Sequence, residues 1–327
     1  MRALESWRPS LDGPPTMDRP AVAPTRPRRR LPFLNLLLFA LTLVTTTIAG
    51  AWTADVSPAD LPSQWPRGLP FSLTLMSILL AHEMGHYVLA RRHGVRVTLP
   101  FFLPGIPFLF SPGTFGAFIR MKSLPQSRRV LFDVGAAGPW AGIAIAVPAV
   151  IYGLQLSELR PIPPSFVGLQ FGDSLLFKLL SRWVVGTIPY GFDVMLHPIA
   201  LAGWFGFLVT ALNLLPLGQL DGGHVIYALF GRWHGWIARA FLLLTVAIGF
   251  LGWSGWFAWA VLMLVVGLDH PPTLDSATPL DPRRRLAGWM TLALFVATFM
   301  PVPVSMIEGG PGPRPEELIP AATWFAG

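Results

Sequence analysis

The stretch Leu69–Arg92 reads LPFSLTLMSILLAHEMGHYVLARR, an apolar segment with three ionisable residues embedded ahead of its terminal arginine pair. From about Leu69 to Ala90 it has close to the 20 apolar residues that a bilayer core requires. His82, Glu83 and His86 lie inside that run, ahead of Arg91-Arg92-His93-Gly94. Ionisable groups within a membrane helix cost about 2–3 kcal/mol each unless they are paired or bound to metal. On a helix, positions i and i+4 share a face, so the two imidazoles of His82-Glu83-Met84-Gly85-His86 can bind one Zn2+. Zinc lowers the pKa of a bound water to about 7, and Glu83, beside the first ligand, is placed to take that proton.

The composition around this stretch agrees with a membrane setting. Of 327 residues, 53% are hydrophobic and only 13% charged, about half the charged fraction of a soluble domain. A conventional soluble enzyme is excluded. The net charge of +7 resides in short clusters beside apolar runs, such as Arg28-Arg29-Arg30 and Arg283-Arg284-Arg285. Clusters so placed set membrane orientation, and no nucleic-acid partner is expected. The absence of cysteine excludes disulfides, thiol catalysis and Cys-ligated metal. The 34 prolines and 32 glycines point to re-entrant or unwound segments inside the bundle.

Working outward, the chain reads as an all-α polytopic membrane protein with about 6–7 transmembrane helices and a re-entrant or β-strand segment at 97–121. Residues 1–31, rich in Pro and Arg, read as a disordered cytoplasmic arm, and 32–67 as the first span and its loop. A catalytic core follows over 68–230, with spans at about Leu69–Ala90, Val130–Leu154 and Leu196–Leu217. Within it, four prolines break the apolar run 97–121, and Ser174–Val185 has the pattern of an interfacial amphipathic helix. Further spans at about Trp236–Trp253, Gly255–Leu268 and Leu286–Val304 fill 231–304, before a tail at 305–327. With the arm on the cytoplasmic side, alternate crossings put the basic clusters at 91–96, 120–129, 232–239 and 283–285 on that side too.

Two histidines leave a catalytic zinc one protein ligand short. Asp133, His197, Asp221, His224, Asp269 and His270 are the remaining candidates in or near spans. Asp221 stands out, because Pro216, Gly218, Gly222 and Gly223 unwind the chain around it and can turn a short carboxylate inward. Asp133 has a simpler explanation as a first-turn acid of its helix, Asp269 as a loop residue, and His224 as a partner of a ligand or a solvated interfacial residue. Gly138 and Gly142 have the spacing of ordinary helix packing.

The pair H-E-M-G-H (82–86) and N-L-L-P-L-G-Q-L-D-G (213–222) resembles the site-2 protease family of intramembrane zinc metalloproteases. That resemblance implies a three-helix catalytic core, one Zn2+ held by His82, His86 and Asp221, and Glu83 as the catalytic base. It places Asn213 near the scissile peptide, steadying the substrate or the oxyanion. The segment from Arg91 to Val95 and the Pro-rich 97–121 segment are similar to a subgroup containing bacterial members and plant chloroplast proteases. Many bacterial relatives insert a PDZ domain between the catalytic spans, whereas 155–196 offers only about 40 residues. The 97–121 segment is then the expected edge strand for an unwound substrate. The implied activity is regulated intramembrane proteolysis of transmembrane protein substrates in the lipid bilayer, in a bacterial inner membrane with the active site near the cytoplasmic face. A metal or proton transporter using the same buried His and Asp ligands is the alternative, and would not need Glu83.

Overall fold

The computed structural model describes residues 32–107, 112–162 and 167–308. The arm at 1–31 and the tail beyond 308 lie outside the described residues. The first span is α1, Phe33–Thr53, whose threonines turn their hydroxyls onto carbonyls one turn back, as Thr42 does to Leu38 at 2.8 Å. A short helix α2, Leu61–Gln64, leads into α3, Leu69–Arg92. Pro70 opens α3, where its missing N–H costs nothing. Gly94, at φ +72°, ends it: Val95 N–H reaches back to Ala90 O at 2.9 Å, closing the helix with a left-handed residue.

The broken segment at 97–121 is a hairpin. Its strands β1, Phe101–Pro104, and β2, Thr114–Phe118, pair antiparallel, and Val97 bridges Met121 below them. The hairpin leans on α1: Asn35 donates to Pro100 O at 2.8 Å, Thr45 to Gly113 O at 2.6 Å, and Phe39 meets Phe102 edge-on. Ser127 then caps α4, Arg128–Gln155, by accepting from Val130 N–H. The 155–196 excursion holds β3, Glu158–Pro161, β4, Val167–Phe171, helix α5, Leu175–Val184, and β5, Phe192–Met195. Strands β3 and β5 pair antiparallel in register, and the Ser157 hydroxyl accepts from His197 N–H at 2.9 Å at the foot of this ladder. On α5, Leu175, Leu179 and Trp183 form an exposed apolar stripe at helical spacing beside Lys178 and Arg182.

Helix α6, Pro198–Asn213, gives way to a non-helical turn over 214–220, and α7, Asp221–Phe230, starts on its acid. Helices α8, His234–Leu251, α9, Gly255–Val266, and α10, Pro282–Thr298, complete the helical part. A last strand β6, Val304–Glu308, pairs with β4. The main core lies where α4 packs between α3 and α6, around Phe71, Leu75, Ile78, Val150, Trp204 and Phe207.

The architecture is mostly helical, as expected, with three two-stranded ribbons among the described residues. Only the 97–121 ribbon was legible beforehand. Among the described residues, four segments are long and apolar enough to cross a membrane: Phe33–Thr53, Leu61–Arg92, Arg128–Gln155 and Asp221–Leu251. Helices α6 and α9, with 16 and 12 residues, fall short of that length. The stretch expected to span Leu286–Val304 leaves the helix at Thr298 and re-enters a strand, because Pro301 and Pro303 cannot continue it.

Asp133 is not a first-turn acid: α4 begins at Arg128, which puts it in the second turn, where it serves as an anchor. Its carboxylate takes a bidentate pair from Arg284 at 2.8 and 2.7 Å, and His93 Nε2 lies 2.9 Å away. One acid therefore ties the end of α3, the start of α4 and the start of α10. Arg284 also donates to Asp281, the cap of α10, and that hydrogen bond with the capped N–H holds the Asp281 carboxyl down at about 2. Charge-assisted bidentate pairs of this kind are worth about 1.5–3 kcal/mol when partly shielded from water. Arg284→Ala should lower stability by about 1–3 kcal/mol, read as the melting temperature of the detergent-solubilised chain. In a double-mutant cycle with Asp133→Ala the two losses should be strongly non-additive.

Candidate metal centre

His82 and His86 lie one turn apart on α3, buried at 3% and 6% exposure. Asp221 arrives from the other side as the first residue of α7, held there by the turn at 214–220. That turn is folded tightly enough to need glycine. Gly218 has φ +46°, and a Cβ on Gly222 or Gly223 would run into carbonyls of the same turn. Leu214, Leu215 and Leu217 are buried beneath it at 2% exposure or less. Arg128 of α4 donates twice to Ala228 O, at 2.6 and 3.0 Å, fastening the far end of α7 to the same helix.

The three ligand-type atoms converge. His82 Nε2 is 3.1 Å from Asp221 Oδ2 and 3.1 Å from His86 Nε2, and His86 Nε2 is 3.2 Å from the same carboxylate oxygen. A tetrahedral zinc with bonds of about 2.0–2.1 Å sets its ligand atoms about 3.3 Å apart. The triangle therefore fits such an ion. His86 Nδ1–H donates to Val134 O at 2.7 Å, which leaves the lone pair on Nε2 for a metal. A bare Nε2 lone pair set against a carboxylate oxygen in a buried site calls for a cation between them. Among the described residues this is the one group of three or more His, Asp or Glu side chains close enough to hold an ion.

Glu83 is buried beside the pair at 4% exposure, and its carboxylate meets the backbone N–H of Ile119, just past β2. The hairpin thus ends at the acid. Asn213, the last residue of α6, brings Nδ2 to 3.3 Å from His82 Nε2. All five residues singled out from the two motifs meet at one place, where α3, α4, α6 and α7 come together.

The other candidate ligands go elsewhere. Asp133 is engaged by Arg284 and His93. His197 caps α6, with its ring nitrogen accepting from Ile199 N–H. Asp269 is exposed and pairs with Arg239 at 3.2 Å. His224 is not a solvated interfacial residue: it is 7% exposed and bonded to His270, Nδ1 to Nε2, at 2.7 Å.

Sequence reasoning missed the role of glycine in α4. Gly135, Gly138 and Gly142 line up under the site. A Cβ on Gly138 would overlap the His86 ring, one on Gly142 would crowd His82 Cβ at 3.3 Å, and one on Gly135 would press His224 Cβ at 2.7 Å. Their spacing was visible, but small residues at such intervals serve plain helix packing as readily. Gly138→Ala should displace the His86 imidazole and weaken zinc binding by at least about 10-fold, measured by zinc titration of the purified chain. Gly186→Ala, after α5, where an added Cβ meets open space but φ is +89°, serves as a control with the same backbone strain that leaves zinc content unchanged.

The model of peptidase family M50 matches residues 70–251, more than half of the chain. The chain is 36% identical over 188 residues to "Probable zinc metalloprotease EGY1, chloroplastic" of Arabidopsis thaliana, covering 54% of this chain and 33% of that protein. It is 31% identical over 166 residues to "Probable zinc metalloprotease EGY2, chloroplastic" of the same plant, covering 50% and 29%. With "Probable zinc metalloprotease EGY3, chloroplastic" of Oryza sativa subsp. indica it shares 30% identity over 251 residues, covering 71% and 42%. The matched region spans about a third of the length of the first two relatives. These relatives are named as chloroplast proteins, so they lend no support to a bacterial inner membrane as the location. What stands is an integral membrane protein.

Proposed function

The chain belongs to peptidase family M50, and from that premise we propose that it is an intramembrane zinc metalloprotease that hydrolyses peptide bonds within or near the transmembrane segments of membrane-protein substrates. The observation that carries this reading is the convergence of His82 Nε2, His86 Nε2 and Asp221 Oδ2 within 3.2 Å of one another beside a buried Glu83. A transporter would use the same ligands but has no need of the acid.

His82, His86 and Asp221 would hold one zinc ion. Bound there, zinc supplies Lewis acidity, polarising a carbonyl and lowering the pKa of water to about 7. Glu83 takes the proton of the attacking water on its carboxylate and returns it to the leaving amide nitrogen. The Ile119 N–H steadies that carboxylate. Asn213, with Nδ2 beside the ligand cluster, is placed to donate to the carbonyl oxygen as charge builds on it. Burial of the cluster keeps bulk water away from everything except the reacting bond.

A helical substrate must first unwind, because its carbonyls are engaged by N–H groups four residues on. The ribbon of β1 and β2, whose end meets Glu83, offers main-chain groups to a segment so released. The basic clusters put this end of the molecule on the cytoplasmic side.

Glu83→Gln should keep its zinc and lose cleavage of a single-span membrane reporter by at least about 10³-fold. His86→Ala or Asp221→Ala should lose both. Metal content by atomic spectroscopy and cleavage by gel check the two together. Loss of metal transport in the Glu83→Gln variant, with no cleavage by the wild type, would support the transporter instead.

A further inference from the structure

One cavity beside the metal centre has no role in the chemistry above. It has a volume of about 230 Å³, half open to the outside, and lies between the chain leaving β2 and the segment after α9. Leu124, Pro125, Leu131, Pro271 and Pro272 make it largely apolar. Its walls are tied together: Leu274 N–H donates to Pro125 O at 3.3 Å and Asp275 N–H to Gln126 O at 2.9 Å. A further wall is the His224–His270 pair. His270 Nδ1–H donates to Pro271 O at 2.6 Å, so its Nε2 accepts from His224 Nδ1–H, and the ring stacks on Tyr227 at 4.6 Å.

Three elements that carry the centre also line this cavity. On α7, His224 comes one turn after Asp221. On α4, Leu131 comes one turn before Gly135, the residue following the carbonyl that anchors His86. Past β2, Met121 comes two residues after Ile119, whose N–H meets Glu83. Three or four residues of helix rise about 4.5–6 Å and two of extended chain about 6.6 Å, so each element carries the chain from the centre to the cavity wall within about one turn. An extended peptide covers that distance in two residues.

We propose that this cavity is a substrate subsite that receives one large apolar side chain about two residues from the peptide bond cut at the His82–His86–Asp221 centre. The proposal rests on the hydrolytic reading above. The volume supports one side chain rather than a whole small molecule, for which sites run to about 300–1,000 Å³. The lining favours an aromatic or long aliphatic group, since burying such a side chain against Leu124, Leu131 and the prolines removes apolar surface from water. Lys122 and Gln219 stand at its exposed margin, where the substrate backbone leaves for water.

The test uses the purified full chain in detergent with a library of single-span peptides, randomised on both sides of a central Gly-Pro pair, with cut sites read by mass spectrometry. The wild type should enrich Phe, Leu, Met or Trp at one position two or three residues from the cut. Leu124, which lines the cavity and is 53% exposed, tolerates replacement. Leu124→Trp should fill the space and shift the preference at that position toward Ala, Ser and Gly by about 10-fold, the scale on which an apolar pocket discriminates. Leu124→Ala should move it the other way, toward Trp, and decides the matter if the Trp variant does not fold. A wild-type profile flat at that position, or one unmoved by either variant, overturns the subsite while leaving the protease reading intact. A wild type that cuts no more than Glu83→Gln overturns the protease reading, and the subsite with it.

Discussion

Two imidazoles on one face of α3 must sit against the backbone of α4, and everything around the centre follows from that close approach. Side chains larger than hydrogen on α4 would hold the helices apart by the width of a methyl group. Gly138 and Gly142 remove that width under His86 and His82. Gly85 does the same from α3, where a Cβ would strike the Ala137 carbonyl. The approach lets the Val134 carbonyl reach His86 Nδ1, so the packing of two apolar helices also sets the tautomer of a ligand. In a membrane, where apolar surface gains nothing from leaving lipid, such backbone-to-backbone contact is what holds helices together. Metal geometry and helix association thus draw on the same glycines.

The carboxylate is supplied differently. Asp221 stands at the junction of two helices, where the chain abandons helical geometry over 214–220 and recovers it at once. The buried leucines of that turn anchor it from below, and Arg128 fastens α7 at its other end. A short acid at the start of a helix is also where the helix dipole favours negative charge. The ligand therefore owes its position to packing on one side, and its place at a helix start favours a negative charge there.

Much of this centre was legible because its chemistry is local in sequence. His82, Glu83 and His86 fall within one helical turn, and Pro216 and Gly218 announce a break next to Asp221 without reference to any partner. The parts that were not legible depend on residues far apart in the chain. Asp133 reads as a first-turn acid until Arg284, 151 residues away, closes on it. His224 reads equally as a partner of a ligand or as a solvated residue until His270 arrives. Ribbons β3–β5 and β4–β6 have no alternating pattern strong enough to compete with their apolar surroundings, and they form because the chain ends they join are brought together by helices. Helix α10 was drawn too long because apolarity alone does not register that Pro301 and Pro303 end it.

The β3–β5 ladder has a bearing on how such chains can grow. Its four in-register pairs, from Glu158–Met195 to Pro161–Phe192, and the Ser157–His197 contact beneath them, bring the outgoing and returning strands side by side before the excursion begins. Material placed between residues 162 and 191 leaves and returns at one point. The entropy of closing a longer loop rises only as the logarithm of its length, about 0.6 kcal/mol for each doubling. A whole folded module could be accommodated there at small thermodynamic cost, with α4 and α6 registering no change in the spacing of their ends. The zinc ligands, toward the opposite ends of those helices, are insulated from it: the ladder gives the chain an insertion port away from its chemistry.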